Sequence, residues 1–324
     1  MSAEPRVWVL NLEAEHELEA RGRFTPSGHL LSVVARERTR LIGNLVRPGD
    51  LVLGPRDLDP EVDSPTLERA AGLPGLAWCP TPNALRVLAA AGARLPTAPS
   101  IEVLREVNAR PFATSVRAPL AEGSFAKHVA PSLEEALACV ARPAAEGWLV
   151  RRTFGAAGRG RRRLHAGTPT ATEHAWLVAS LRHGPLVIEP WVEVLREYTR
   201  SGWVHPNGEV QIAPPCFQQT TAAGAWVGTE TAEPSEVPRS DDERLGRAVE
   251  SAGTALAAAG YFGAFGIDAF RYRLDGREAL NPMSEINARF TMDWTVGMVA
   301  APERAGPRVA TSARTPATPR GPAS

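Results

Sequence analysis

Three short apolar runs, spaced by helical patterns, constrain the first hundred residues more tightly than any other feature. They are Arg6-Val7-Trp8-Val9-Leu10-Asn11-Leu12, Asp50-Leu51-Val52-Leu53-Gly54 and Leu76 to Cys79. Between and after them the pattern is helical over residues 28 to 46, over Ser64 to Ala71, and from Thr81-Pro82-Asn83 to near Ala91-Gly92. Short buried strands alternating with helices predict a parallel sheet covered by helices, because parallel neighbours need a crossover that lands on a face of the sheet. The first run is followed by Glu13-Ala14-Glu15 rather than Gly-x-Gly-x-x-Gly, so a dinucleotide phosphate turn is not supported. This α/β part reads as a docking and substrate-facing partner.

From about residue 104 the pattern becomes antiparallel α+β. Ser132-Leu133-Glu134-Glu135 is a capping box opening a helix through Val140, Trp148-Leu149-Val150 starts a strand, and Arg161-Arg162-Arg163-Leu164 is a basic strand. Residues 172 to 182 read as helix and Leu186-Val187-Ile188-Glu189 as a buried strand. Asn207-Gly208 and Asp275-Gly276 mark hairpins, joining Gly202–Val204 to Val210–Ile212 and Phe270–Tyr272 to Glu278–Leu280. Between them Ser240-Asp241-Asp242-Glu243 caps a helix with Leu245, Val249, Ala252 and Leu256 on one face, stopped by Gly260. The tail from Ala301 is rich in Pro, Ala and Arg and poor in large aliphatics, which predicts disorder. The expected organisation is therefore an α/β domain at 1–103, an α+β domain at 104–300 and a tail at 301–324.

Charge narrows the function. The 36 basic residues balance 36 acidic ones, and only one of the basic set, Lys127, is lysine. Zero net charge gives no global field to hold nucleic acid or an anionic membrane. A single lysine, in Phe-Ala-Lys-His, excludes a Walker loop and the kinase strand lysine. Most of the arginines read as compositional habit, since Ala, Gly and Pro are abundant too. Cys79, Cys139 and Cys216 lie far apart without metal or disulfide spacing. With no apolar run of spanning length and no signal-peptide order at the start, a soluble cytoplasmic protein is expected.

Three constellations carry chemistry. In the first, Leu149-Val150-Arg151-Arg152-Thr153-Phe154 runs into glycines at 155, 158 and 160, which let backbone N–H groups approach an anion while the strand cation reaches it. A tight hairpin with a solvated basic strand explains this segment equally well. The second is Glu189-Pro190-Trp191-Val192-Glu193 followed by Glu197, a strand end whose backbone could meet a purine edge, with Trp191 or Val192 against its face and Glu197 on ribose. In the third, Glu285 and Asn287 are two apart on an extended segment and share a face, and Asp268 joins them if it opens the neighbouring strand. Two carboxylates and an amide suit Mg2+ completed by nucleotide phosphates.

In this order, the segment from about 108 to 294 resembles an ATP-grasp domain, and the first hundred residues resemble the small α/β domain preceding it in such enzymes. The resemblance implies ATP bound with Mg2+, or Mn2+ in its place, between two α+β subdomains. It also implies phosphorylation of a carboxylate and attack on the acyl phosphate by an amine, releasing ADP. It places Arg151 on the nucleotide phosphates, Gly155, Gly158 and Gly160 in the flap, and Glu189, Trp191 and Val192 at the adenine hinge. Glu197 falls on ribose, Asp268, Glu285 and Asn287 on the metal, and Arg289 on the transferred phosphate or the acyl phosphate. Two departures stand out. Arg151 occupies a position that usually holds Lys, and the upstream family lysine has no Lys counterpart. Arg110 is its candidate, with Arg117 second, and Lys127, in the strand before the capping box, is not given that role. The expected partners are small-molecule carboxylate and amine substrates, with homodimerisation left open. The alternative is a nucleotide-binding protein of this fold without ligase turnover.

Overall fold

The computed structural model describes residues 4–20, 24–42, 45–54, 65–120, 125–155, 160–221 and 226–299. Gly158 and the tail at 301–324 lie outside the described residues. Strands β1 (Val7–Val9), β2 (Leu51–Leu53) and β3 (Gly75–Ala77) form a parallel sheet in the order β2-β1-β3. Helices α1 (Ala14–Glu19), α2 (Gly28–Ile42), α3 (Pro65–Ala70) and α4 (Pro82–Ala90) alternate with them. The side-chain period of two divides the sheet: Val7, Val9, Leu53, Ala77 and Leu88 form one cluster, whereas Trp8, Leu10 and Leu76 face the main core. Thr81 caps α4 by accepting from the Ala84 amide, with Pro82 at its first position, as the Thr-Pro-Asn signal requires.

Helices α5 (Ile101–Asn108) and α6 (Arg110–Arg117) bury Leu104, Val107 and Ala113 in that main core. An antiparallel four-stranded sheet follows, made of β4 (His128–Ala130), β5 (Trp148–Arg151), β6 (Arg161–Leu164) and β7 (Leu186–Pro190) in the order β4-β7-β5-β6. Helices α7 (Leu133–Val140) and α8 (Ala171–Leu181) cover one of its faces, packing on Trp148, Val150, Leu186 and Ile188. Ser132 caps α7 as its sequence indicates. A reciprocal Thr170–Glu173 box opens α8, and the Thr-x-x-Glu spacing that marks it was available in the sequence.

The third sheet contains β8 (Glu193–Val204), β9 (Val210–Ile212), β10 (Cys216–Thr220), β11 (Trp226–Thr231), β12 (Gly263–Leu274) and β13 (Arg277–Asn287). Its order is β11-β10-β8-β12-β13, with β9 also on β8. Helix α9 (Arg239–Ala258) lays Leu245, Val249, Ala252 and Leu256 on one face of this sheet, and α10 (Trp294–Val299) closes the described chain. Gly202 permits this packing, because a Cβ there would lie 2.5 Å from the Phe265 ring. Asp275 and Gly276 have φ of 50° and 74°, the paired left-handed residues of a tight hairpin turn.

Three expectations are corrected. Asp268 lies inside β12 rather than opening it, because the strand already begins at Gly263 to pair with Val204 of β8. The Ser240 cap is displaced: α9 starts at Arg239 after Pro238 and has no side-chain cap, with Ser240 inside its first turn. The helix expected over residues 28 to 46 is shorter: α2 ends at Ile42, and Leu45 and Val46 lie in a turn before β2. Elsewhere the mixed architecture matches the α/β plus α+β expectation.

One buried carboxylate pins the first sheet. Asp50 accepts from the Arg6 amide (3.0 Å), Nε (3.1 Å) and Nη2 (2.8 Å), and from Trp8 Nε1 (3.0 Å). Burial alone would raise its pKa, but the Arg6 and Trp8 donors outweigh it and hold the carboxyl below its ordinary 3.8. Asp50→Ala is expected to lower unfolding free energy by about 2–4 kcal/mol near neutral pH, measured by denaturant titration. Since the stabilising form is ionised, that difference should be full above about pH 4 and vanish as pH falls through the lowered value.

Candidate functional site

Alternation along β5 and β7 sends Arg151 and Glu189 to the face that α7 and α8 leave uncovered. Lys127, immediately before β4, joins them. On the third sheet the register sets Thr199, Asp268 and Glu285 side by side, on the face opposite α9. The two uncovered faces meet across a chain of buried charges. Lys127 Nζ lies 3.0 Å from Glu189 Oε2, and Arg151 Nη1 lies 3.5 Å from Glu189 Oε1. Arg151 Nη2 then reaches Glu285 Oε2 at 2.6 Å, and Arg110 Nη2, from α6, reaches Glu285 Oε1 at 2.9 Å. Arg110 also donates to the carbonyls of Arg152 (2.9 Å) and Gly155 (2.6 Å), which fixes the base of the glycine-rich turn. Three cations face two carboxylates, so the cluster keeps a positive surplus suited to an anion.

The electrostatics are asymmetric. Burial would raise Glu285, yet Arg110 and Arg151 hold it down to about 2. Asp268 behaves oppositely: burial, then the charges of Glu285 and Asp293, push it up to about 7. Its hydrogen-bond partner is the Asn287 amide, Nδ2 to Oδ2 at 3.0 Å. Burial pulls the Lys127 ammonium down to about 8. Among the described residues no group of three or more His, Cys, Asp or Glu could hold a metal. Asp268, Glu285 and Asn287 nevertheless fit a hard divalent cation, being two carboxylates and an amide, and a cation between them would relieve the repulsion of Asp268 by Glu285.

The remaining site residues are placed less directly. Arg289 does not join the cluster: its guanidinium is paired with Glu15 of α1, Nε to Oε1 at 2.9 Å, and lies over the Trp78 ring at 5.6 Å. Glu197 accepts from Thr220 Oγ1 at 2.5 Å. The Trp191 amide donates to Gly147 O at 2.9 Å and its ring lies under Arg163 at 4.7 Å, so that donor and one ring face are already engaged. The Val192 amide has no hydrogen-bond partner among the described residues. Gly160 has φ +70°, as a turn glycine should. Arg117, the second candidate for the upstream cation, is buried elsewhere, donating to Asn281 Oδ1 at 2.7 Å and Phe125 O at 3.0 Å.

Sequence reasoning missed Lys127, Ser284 and Glu15. Lys127 donates to Ser284 O at 2.7 Å as well as pairing with Glu189, so the one lysine belongs to the cluster and is not remote from it. Its isolation among arginines was the available signal. Glu15 carried none, because its partner Arg289 is distant in sequence.

No family model matches this sequence, and no curated protein does. Solved structures do. Biotin carboxylase from Campylobacter jejuni, in a complex with beta-gamma-ATP, is 12% identical over 92% of this chain and 68% of that one, with a TM-score of 0.55. Pyruvate carboxylase from Rhizobium etli is 14% identical over 92% of this chain and 27% of that one, with a TM-score of 0.53. N5-carboxyaminoimidazole ribonucleotide synthetase from Thermus thermophilus is 20% identical over 88% of this chain and 71% of that one, with a TM-score of 0.47. The chain has an ATP-grasp fold. No helix among the described residues is long and apolar enough to cross a membrane.

Arg110 is the hub of this cluster, and its loss leaves Glu285 Oε1 and two carbonyls without their donor. Arg110→Met is expected to cost about 3 kcal/mol of stability by denaturant titration. Arg110→Met combined with Glu285→Gln should cost less than the two single losses added together.

Proposed function

We propose that this chain is an ADP-forming ligase, dependent on Mg2+, that activates a small-molecule carboxylate as an acyl phosphate and passes it to an amine. The observation that carries this reading is the juxtaposition of Arg110 and Arg151 with Asp268, Glu285 and Asn287 between two sheets of an ATP-grasp fold. Residues 1–103 would supply the substrate-facing part and 104–300 the nucleotide-binding part. Arg110 and Arg151 present guanidinium groups to the phosphates, where planar forks bind bidentately. The Val192 amide meets the purine edge, and Glu197 accepts from ribose. Gly155 and Gly160 allow backbone approach over the phosphates and, with the cleft closed, exclude water from the reactive acyl group. Asp268, Glu285 and Asn287 would hold Mg2+, which when bound supplies charge neutralisation at the transferred phosphoryl group. Arg289, held on Trp78 by Glu15, lies at the boundary with the first domain, where the carboxylate would enter.

Because both oxygens of Glu285 are engaged by arginines, nucleotide phosphates must compete with that carboxylate. Glu285→Gln is therefore expected to bind metal-free ADP several-fold more tightly than wild type, by about 1 kcal/mol, and to gain nothing from added Mg2+ in a fluorescence titration. The same closed cluster favours the second reading, a nucleotide-binding protein without turnover.

One assay separates the two. ADP formation is measured with Mg2+ and ATP against pooled amino acids and dipeptides, with product mass read directly. Ligase activity should require both a carboxylate and an amine and disappear in Glu285→Ala. Full turnover by that variant would overturn the metal assignment, and tight ATP binding with no ADP from any pool would favour the binding module. In the same assay Arg151→Lys distinguishes drift, where turnover is kept, from a site rebuilt around guanidinium, where it falls.

A further inference from the structure

We propose that Lys127 is a positioning residue of the nucleotide site, acting through Glu189 to keep Arg151 turned toward Glu285. This rests on the ATP-binding reading above. Glu189 is buried to 2% exposure between two cations, and they are not equivalent. Lys127 Nζ meets one oxygen at 3.0 Å, whereas Arg151 Nη1 stands 3.5 Å from the other. Arg151 instead makes its short contact, 2.6 Å, to Glu285, and its Nη1 lies 3.4 Å from Ser284 Oγ. Lys127 is thus the nearer cation, an ion pair at Oε2, and the arginine fork is directed at β13.

Without that ammonium, Glu189 would be a buried carboxylate with Arg151 as its nearest cation. An uncompensated buried charge is costly, and a bidentate Arg–carboxylate pair is the strongest local remedy. Arg151 would swing onto Glu189 and away from Glu285 and Ser284, where the phosphates are expected. The residue type fits this role. A compact ammonium with three donors can touch both Glu189 Oε2 and the Ser284 carbonyl (2.7 Å) from a single point. In a chain with one lysine among 36 basic residues, that lysine stands here.

The test compares Lys127→Met, and Lys127→Met combined with Glu189→Gln, with wild type, using calorimetric titration of ATP with Mg2+ and of adenosine. The single variant should weaken ATP binding about tenfold while adenosine affinity changes less than about twofold. The double variant should recover most of the loss, because a neutral amide does not draw Arg151 away. Unchanged ATP affinity in the single variant, or equal losses for ATP and adenosine, would overturn the positioning role. A double variant as weak as the single one would overturn it too, by placing Lys127 directly on the ligand. If the single variant does not fold, the double variant decides alone: binding near wild type supports the role and weak binding overturns it. A wild-type chain that binds neither ligand would overturn the ATP-binding reading itself, and this proposal with it.

Discussion

Glu285 is held on both oxygens, by Arg110 from α6 and by Arg151 from β5, and this shared carboxylate ties α6, β5 and β13 together. Ion pairs removed from water repay their desolvation only when geometry is good and remaining donors are met. Here Nη1 of Arg110 goes to the carbonyl of Arg152, and Nη2, beside its contact with Glu285, also meets that of Gly155. The start of the glycine-rich turn is therefore fixed by the same side chain that restrains Glu285. A ligand that took both arginines would loosen Glu285 at the same time.

The first sheet and its helices are joined to this arrangement through the segment after β13. The Phe290 amide donates to Trp78 O at 3.0 Å, and Asn108 brackets Ala288 with its side-chain amide, accepting from its N–H at 2.9 Å. Arg289 is then drawn across to Glu15. The crevice between β1 and β3 itself is stitched shut: Asn11 bridges to Cys79, and Glu17 accepts from Thr81 Oγ1 at 2.6 Å and the Asn83 amide at 2.9 Å. With Glu17 capping α4, that helix start offers no open anion site, in keeping with the lack of a glycine-rich turn after β1. The open chemistry lies on the side facing the third sheet.

Local signals carried much of this. The Ser132 cap, the Asp275-Gly276 turn and the apolar face of α9 each encode their element within a few residues, and these elements formed where the pattern placed them. Asp268, Glu285 and Asn287 could be grouped because strand periodicity alone puts 285 and 287 on one face, and a hairpin brings 268 beside them. What was not legible depended on contacts between sheets. Nothing near Lys127 says that it will meet Glu189, and nothing near Arg289 says that it will turn to Glu15. The same holds for strand length: β8 runs to twelve residues because β12 pairs along it, a partner distant in sequence.

The excess of arginine acquires a physical meaning at this site. A lysine at 151 would present one point of charge, and could satisfy Glu285 or lean toward Glu189 but not span both. The guanidinium spans them, with Nη1 toward Glu189 and Nη2 on Glu285, and Arg110 engages the other oxygen of Glu285. The ligand-free cluster is thereby closed on itself, which a pair of lysines would not achieve. The cost is specificity of aim: a fork that fits either carboxylate needs something to decide between them. Lys127, paired with the far oxygen of Glu189, settles that choice in favour of the strand that carries the candidate metal ligands.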